Sequence, residues 1–208
     1  MLTSLCLSFP KRLFVLLSII TMFTITGCEQ SVKVLLHKTD MAVKLPHAGL
    51  QASDMHDVIN QAAVKVQETL PNSTYNGLVI FGDCSGFPNI EGRVTLIFIQ
   101  TERGLFGVRS YVATASVHTT KQKMDLRIVA DPYWNYNPQH YDETELNRVL
   151  QAVTVYLQKR NISNCTVTLS KIDHFWRAEC IRGEGNAWER VCYFEIDGNS
   201  GVISEING

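Results

Sequence analysis

The stretch Gly82-Asp83-Cys84-Ser85-Gly86 has the G-x-C-x-G form of a nucleophile elbow, with a cysteine where hydrolases usually place serine. An elbow needs a helix directly behind its nucleophile. Phe87-Pro88-Asn89 and then Gly92 read as a turn instead, so covalent catalysis at Cys84 is not expected. Six histidines, His37, His47, His56, His118, His140 and His174, are dispersed along the chain. No two stand at i, i+4 on a helical pattern and none lies within metal spacing of a cysteine, so they read as solvated or packing residues and no metal is expected. The acidic residues are scattered too, with no pair that local spacing would converge for acid–base work. The expectation is a protein without catalytic residues or cofactor.

A binding surface has a better candidate in Tyr133, Trp134, Tyr136 and Tyr141, interrupted by Pro132 and Pro138. Aromatic rings on a stiff loop can stack on sugars or grip a partner at low entropic cost. The plainer alternative is that they cover a seam between packed elements. Asn72, Asn161 and Asn164 sit in N-x-S/T sequons and read as turn residues.

The elements that must position these residues begin with the N-terminus. Lys11-Arg12 precedes an uncharged run from Leu13 to Thr26, 14 residues long. A membrane-spanning helix needs about 20 residues, so the run reads as a signal-peptide core. Behind it, Ile25-Thr26-Gly27-Cys28 resembles the lipobox of bacterial lipoproteins. The resemblance implies that residues 1–27 are removed as a signal peptide. It also implies that Cys28 becomes the lipid-bearing N-terminus, palmitate among its acyl chains, and that this membrane anchor holds the protein in the cell envelope, facing the periplasm. Glu29, rather than Asp, after the anchor cysteine resembles the sorting preference for the outer membrane.

Removal of residues 1–27 takes away Lys11 and Arg12 and no acidic residue, leaving 17 basic against 20 acidic side chains, a formal net charge of −3 over 181 residues. Nucleic-acid binding needs a basic face to neutralise phosphates, so no nucleic-acid partner is expected. The expected partners are the membrane, through the anchor, and an envelope protein.

With Cys6 and Cys28 set aside, Cys84, Cys165, Cys180 and Cys192 remain, and an even number in an exported chain favours disulfides. Gly183-Glu184-Gly185-Asn186 is a turn-forming stretch between two alternating segments. A hairpin centred on Asn186 makes facing residue numbers sum to 372, which sets Cys180 opposite Cys192 and leaves Cys84 and Cys165 as the second pair. The rival, Cys165 with Cys180, is only diagonal if the preceding turn is Ser170 to Asp173.

Residues 28–51 show no sustained period and read as a tether, with a strand at Val32 to Leu36 as the alternative. Ser53 as N-cap, then Met55, Val58, Ile59, Ala62, Val66 and Leu70 before Pro71, predicts an amphipathic helix. Leu78–Phe81, Val94–Ile99, Leu105–Ala115 and Leu126–Ala130 read as strands, with Thr101-Glu102-Arg103-Gly104 turning a hairpin. Asp142 with Glu145 resembles a capping box, and Leu146, Val149, Leu150, Val153 and Leu157 make a second helical stripe ending near Arg160. Cys165–Leu169, His174–Ile181, Val191–Ile196 and Val202–Ile206 follow as strands. Arg93, Val94, Ile99 and Gly104 recur 97 residues later as Arg190, Val191, Ile196 and Gly201. The expected class is therefore α+β, two helix-on-antiparallel-sheet halves at 52–131 and 132–208, as a tandem duplication joined through Asp131 to Tyr141.

Tyr193-Phe194-Glu195-Ile196-Asp197-Gly198-Asn199-Ser200-Gly201-Val202-Ile203 resembles the closing hairpin of PepSY-type modules, exported domains in which a helix packs on an antiparallel sheet. The resemblance implies that fold for the second half, and a link to restraint of proteases and envelope regulation. The functional expectation is a lipid-anchored envelope protein acting as a binding or assembly module. The alternatives are a cell-wall-directed enzyme whose site converges only in three dimensions, and a PepSY-like peptidase regulator.

Overall fold

Strand β1 (Val34–Ala42) lies in the stretch expected to be a tether, and it is the first described element. The computed structural model describes residues 34–45, 49–104, 107–130, 141–183 and 188–206, within one compact unit, Lys33–Gly208. After β1 come a 3-10 turn (Ala52–Asp54), helix α1 (Met55–Gln67) and strands β2 (Thr74–Asp83), β3 (Gly92–Gly104), β4 (Gly107–His118) and β5 (Lys123–Ala130). Helix α2 (Glu143–Lys159) follows, then β6 (Thr166–Ile172), β7 (Phe175–Arg182), β8 (Glu189–Asp197) and β9 (Ile203–Glu205).

The nine strands form one sheet in the order β1-β5-β4-β3-β2-β6-β7-β8-β9, and every neighbouring pair is antiparallel. This overturns the expected pair of helix-on-sheet halves. The joining contact is β2 with β6, running from Val79 opposite Ser170 to Asp83 opposite Thr166. That ladder satisfies two strand edges which separate halves would each have left open. One hydrophobic core then serves the whole sheet. The α1 stripe (Met55, Val58, Ala62, Val66) and the α2 stripe (Leu146, Val149, Leu150, Val153) belong to the same cluster as Ile80, Leu96, Phe98, Val167, Leu169, Phe194 and Ile196. Val94 and Leu169 both pair with Ile80, so these inward residues share one sheet face.

The 97-residue spacing does not mark equivalent positions. Val94 is paired and fully buried, whereas a register shift at Cys180/Ile181 leaves Val191 without a partner across the ladder. Ile196 belongs to the core, but Ile99, though buried, lies outside it, on the strand face opposite Phe98.

Local expectations also shift. Thr101–Gly104 is not a turn: it continues β3, with Gly104 opposite Gly107. Ser53 is not the N-cap of α1, because the chain enters through the 3-10 turn, where the Gln51 N–H donates to Asp54 Oδ2 at 3.1 Å. At α2 the cap is Asp142, whose Oδ1 accepts from the N–H groups of Thr144 and Glu145 at 2.8 and 3.1 Å. The Glu145 side chain does not complete the box. It turns to the sheet, taking Trp176 Nε1–H at 2.8 Å and Lys171 Nζ at 2.5 Å. Asn161 and Asn164, read as turn residues, hold positive φ values of 51° and 56°. Among the described residues, no helix is long and apolar enough to cross a membrane.

Candidate functional site

Helix α2 shows how burial leaves a site behind. Its apolar stripe packs inward, which leaves Glu143, Asn147 and Gln151, at i, i+4 and i+8, exposed on one outward strip. Opposite them stand Gln51, Ser53 and Asn89, and the two banks enclose a concavity of about 340 Å³. Both banks are firmly held. Leu50 and Ile90 exchange backbone hydrogen bonds at 3.1 and 2.8 Å, and Phe87 and Ile90 are buried beside them. Tyr141, directly before α2, donates its hydroxyl to the Ala52 carbonyl at 2.5 Å. Burial, together with the carboxylates of Glu143, Asp142 and Asp54, pushes its phenol upward, so it remains a donor at neutral pH.

The side chains of Asn89, Glu143, Asn147 and Gln151 make no hydrogen bond to other described residues. Asn and Gln each carry both a donor and an acceptor, so this lining can satisfy a ligand group of either kind. Glu143 is the one ionisable side chain among the eight described residues that line the concavity. Sequence reading placed no emphasis on this strip. Its signal was present, as the polar positions of a helix whose apolar positions were recognised.

A second, more apolar hollow of about 470 Å³ lies further along α2, between Ala152, Val155 and Tyr156 on the helix and Ile203 on β9. Gln151 lines both hollows.

The cysteines divide into two kinds. Cys180 and Cys192 are joined by a disulfide and face each other across β7 and β8, with Cα atoms 5.1 Å apart. Cys84 and Cys165, expected as the second bridge, are buried free thiols in this structure. They are nonetheless neighbours, just beyond the Asp83/Thr166 end of the β2–β6 ladder. The Cys84 N–H donates to the Cys165 carbonyl at 3.0 Å and the Cys165 N–H to Cys84 Sγ at 3.3 Å. Burial, reinforced by the adjacent Cys84 thiol, pushes the Cys165 thiol up to about 12. A thiol so hard to ionise is a poor nucleophile. Cys165 could not pair with Cys180, because the β6–β7 register sets Val167, not Cys165, opposite Cys180.

At the elbow-like stretch, Asp83 Oδ1 accepts both the Ser85 hydroxyl at 2.6 Å and the Ser85 N–H at 2.8 Å. These bonds hold the Asp83 carboxyl below its ordinary value, and they close a turn, not a helix, behind Cys84. Of the aromatic cluster, Tyr141 is the member the structure places; Tyr133, Trp134 and Tyr136 lie outside the described residues, as does Cys28. His118 Nε2 lies 3.0 Å from Asp125 Oδ2, and His174 stacks on Phe175.

No family model matches this chain, and no curated protein or solved structure matches it either. The likeness to PepSY-type modules therefore rests on residues 193–203 alone.

Proposed function

We propose that this chain is a lipid-anchored protein of the bacterial envelope that works as a binding module, holding a polar segment of an envelope partner against the outward strip of α2. The observation that carries the reading is the concavity around Glu143, Asn147 and Gln151, with hydrogen-bonding groups unspent on other described residues and with banks held by Tyr141 and the Leu50–Ile90 bridge. Rigid banks lower the ordering cost of binding. The anchor comes from Ile25-Thr26-Gly27-Cys28, and the Cys180–Cys192 disulfide suits an oxidising compartment. A glycan-cleaving site generally needs two carboxylates on one cleft, and among the described residues Glu143 stands without a second around this one, which favours binding over hydrolysis.

The test is site-specific photocrosslinking in intact envelopes. A photoreactive residue at Asn147 or Gln151 should give a discrete adduct, while the same residue at exposed Val64 on α1 should give none. Equal labelling at all three positions, or adducts at Val64 alone, would overturn the site. Mass analysis of the mature N-terminus decides the anchor separately: an unmodified Cys28, or cleavage elsewhere, would remove it.

A further inference from the structure

The first strand carries the anchor's consequence. Cys28 precedes Val34 by six residues, and six extended residues reach at most about 21 Å. An anchored Cys28 therefore leaves β1 no long tether; it holds the β1 edge of the sheet close to the bilayer.

That edge carries two of the devices that blunt a free edge, a bulge and charge, and adds an exposed apolar pair. β1 pairs with β5 alone and ends the sheet. Free edges are normally blunted by charge, bulges or short length. Here the strand runs nine residues, and at its bulge between Leu35 and His37 it exposes two adjacent leucines, Leu35 and Leu36, each 50% accessible. Two residues further on, exposed Lys38 lies directly opposite exposed Arg127. Like charges facing each other across a ladder repel. Neither has an ion-pair partner among the described residues, because Asp40 and Asp125 are engaged by Lys123, and Asp125 by His118 as well. Apolar side chains flanked by unpaired cations are the composition that seats in an anionic lipid interface.

We propose that the β1 edge is the membrane-facing rim of the molecule. Leu35 and Leu36 enter the headgroup region of the bilayer that holds the acylated Cys28, and Lys38 and Arg127 meet anionic headgroups. This rests on the lipid-anchor reading given above. The sheet itself then supplies the reach that a tether was expected to give. At about 4.8 Å per strand, β8, against which α2 packs, lies at most about 34 Å along the sheet from β1, so α2 stands on the side of the molecule away from the bilayer.

The test uses the full-length protein, extracted from membranes and reconstituted into vesicles whose acyl chains carry bromine, a contact quencher of tryptophan. One set combines phosphatidylethanolamine with phosphatidylglycerol; the other is phosphatidylcholine. Relative to the unsubstituted protein, Leu36→Trp should add emission that the brominated chains reduce by about half or more. Val202→Trp, exposed just before the far edge strand β9, should add emission that they leave intact. Lys38→Glu with Arg127→Glu should weaken the quenching at position 36 in phosphatidylglycerol vesicles and leave it unchanged in phosphatidylcholine. If acyl chains are found on Cys28 while position 36 is unquenched, the rim is wrong and the anchor stands. An unmodified Cys28 overturns the anchor and the rim together. Quenching at position 202 equal to that at 36 overturns the orientation. Loss of quenching with crosslinking of position 36 to a second copy assigns the edge to strand pairing and overturns the rim.

Discussion

Cys165 illustrates how one neighbour and one burial decide a side chain's chemistry. At pH 8 an ordinary thiol is about a quarter ionised, whereas one titrating near 12 is ionised about once in ten thousand. Alkylation of Cys165 in the folded protein should therefore run at least about tenfold slower than in urea, the scarcity of thiolate outweighing its higher intrinsic nucleophilicity. Timed iodoacetamide labelling with peptide mass analysis measures this, and labelling of folded Cys165 at the rate of an open thiol would refute the assigned environment. Glu145 is the other residue on which much depends. Its carboxylate, with only 14% of the side chain exposed, serves Lys171 and the indole N–H of buried Trp176, and Gly198 packs against it so closely that a Cβ there would overlap the carboxylate. Glu145→Ala strips the indole of its acceptor and leaves a largely buried ammonium without this partner, at a cost of about 2–4 kcal/mol. Glu145→Gln keeps an acceptor for the indole and should cost less. Equal costs for the two variants in urea denaturation would show that the ion pair, lost in both, dominates over the indole bond.

At the scale of elements, the β8–β9 connection shows a carboxylate doing the work of a backbone partner. Asp197 Oδ1 accepts from the N–H groups of Asn199 and Ser200 at 3.1 and 2.7 Å and from the Ser200 hydroxyl at 2.8 Å. The Ser200 bonds, backbone first, draw its carboxyl below the ordinary 3.8. A group depressed in the folded state stabilises fully above its unfolded pKa and loses that contribution as pH falls through the folded one. Stability lost on acidification below about pH 4 should therefore be smaller in Asp197→Asn than in the natural chain. Identical acid profiles would mean that the turn holds without the charge. Helix α2 was legible at this scale down to its cap, because Asp142 and the stripe from Leu146 to Leu157 are local signals. The route taken by Glu145 was not, since Trp176 and Lys171 lie 31 and 26 residues away.

For the molecule as a whole, one sheet and one core predict one unfolding event. Leu126 in β5 and Leu150 in α2 belong to opposite ends of the sheet but to the same buried cluster, each at most 1% exposed. Leu126→Ala and Leu150→Ala should each cost about 2–5 kcal/mol. Both should displace the same single transition, whether followed by far-ultraviolet circular dichroism or by tryptophan fluorescence. Two separated transitions, with each substitution moving only one, would restore independent halves against the β2–β6 ladder.

Both helices, most of the alternating strands and the choice of Cys180 and Cys192 as partners were legible in the sequence, since each depends on periodicity or on a turn a few residues away. The sum of 372 holds only beyond the bulge: beside the turn, Ile181 faces Arg190 and Arg182 faces Glu189, and the extra residue Val191 is what brings Cys192 opposite Cys180. Tertiary structure alone decided that the two strand groups share a ladder. Pairing β2 with β6 joins residues some 90 positions apart, and nothing local records which strand edge will meet which. The same long-range choice placed β1 beside β5 and turned an apparent tether into a sheet edge. It also brought Gln51 and Asn89 across from α2, where neighbours in space, not in sequence, make the concavity.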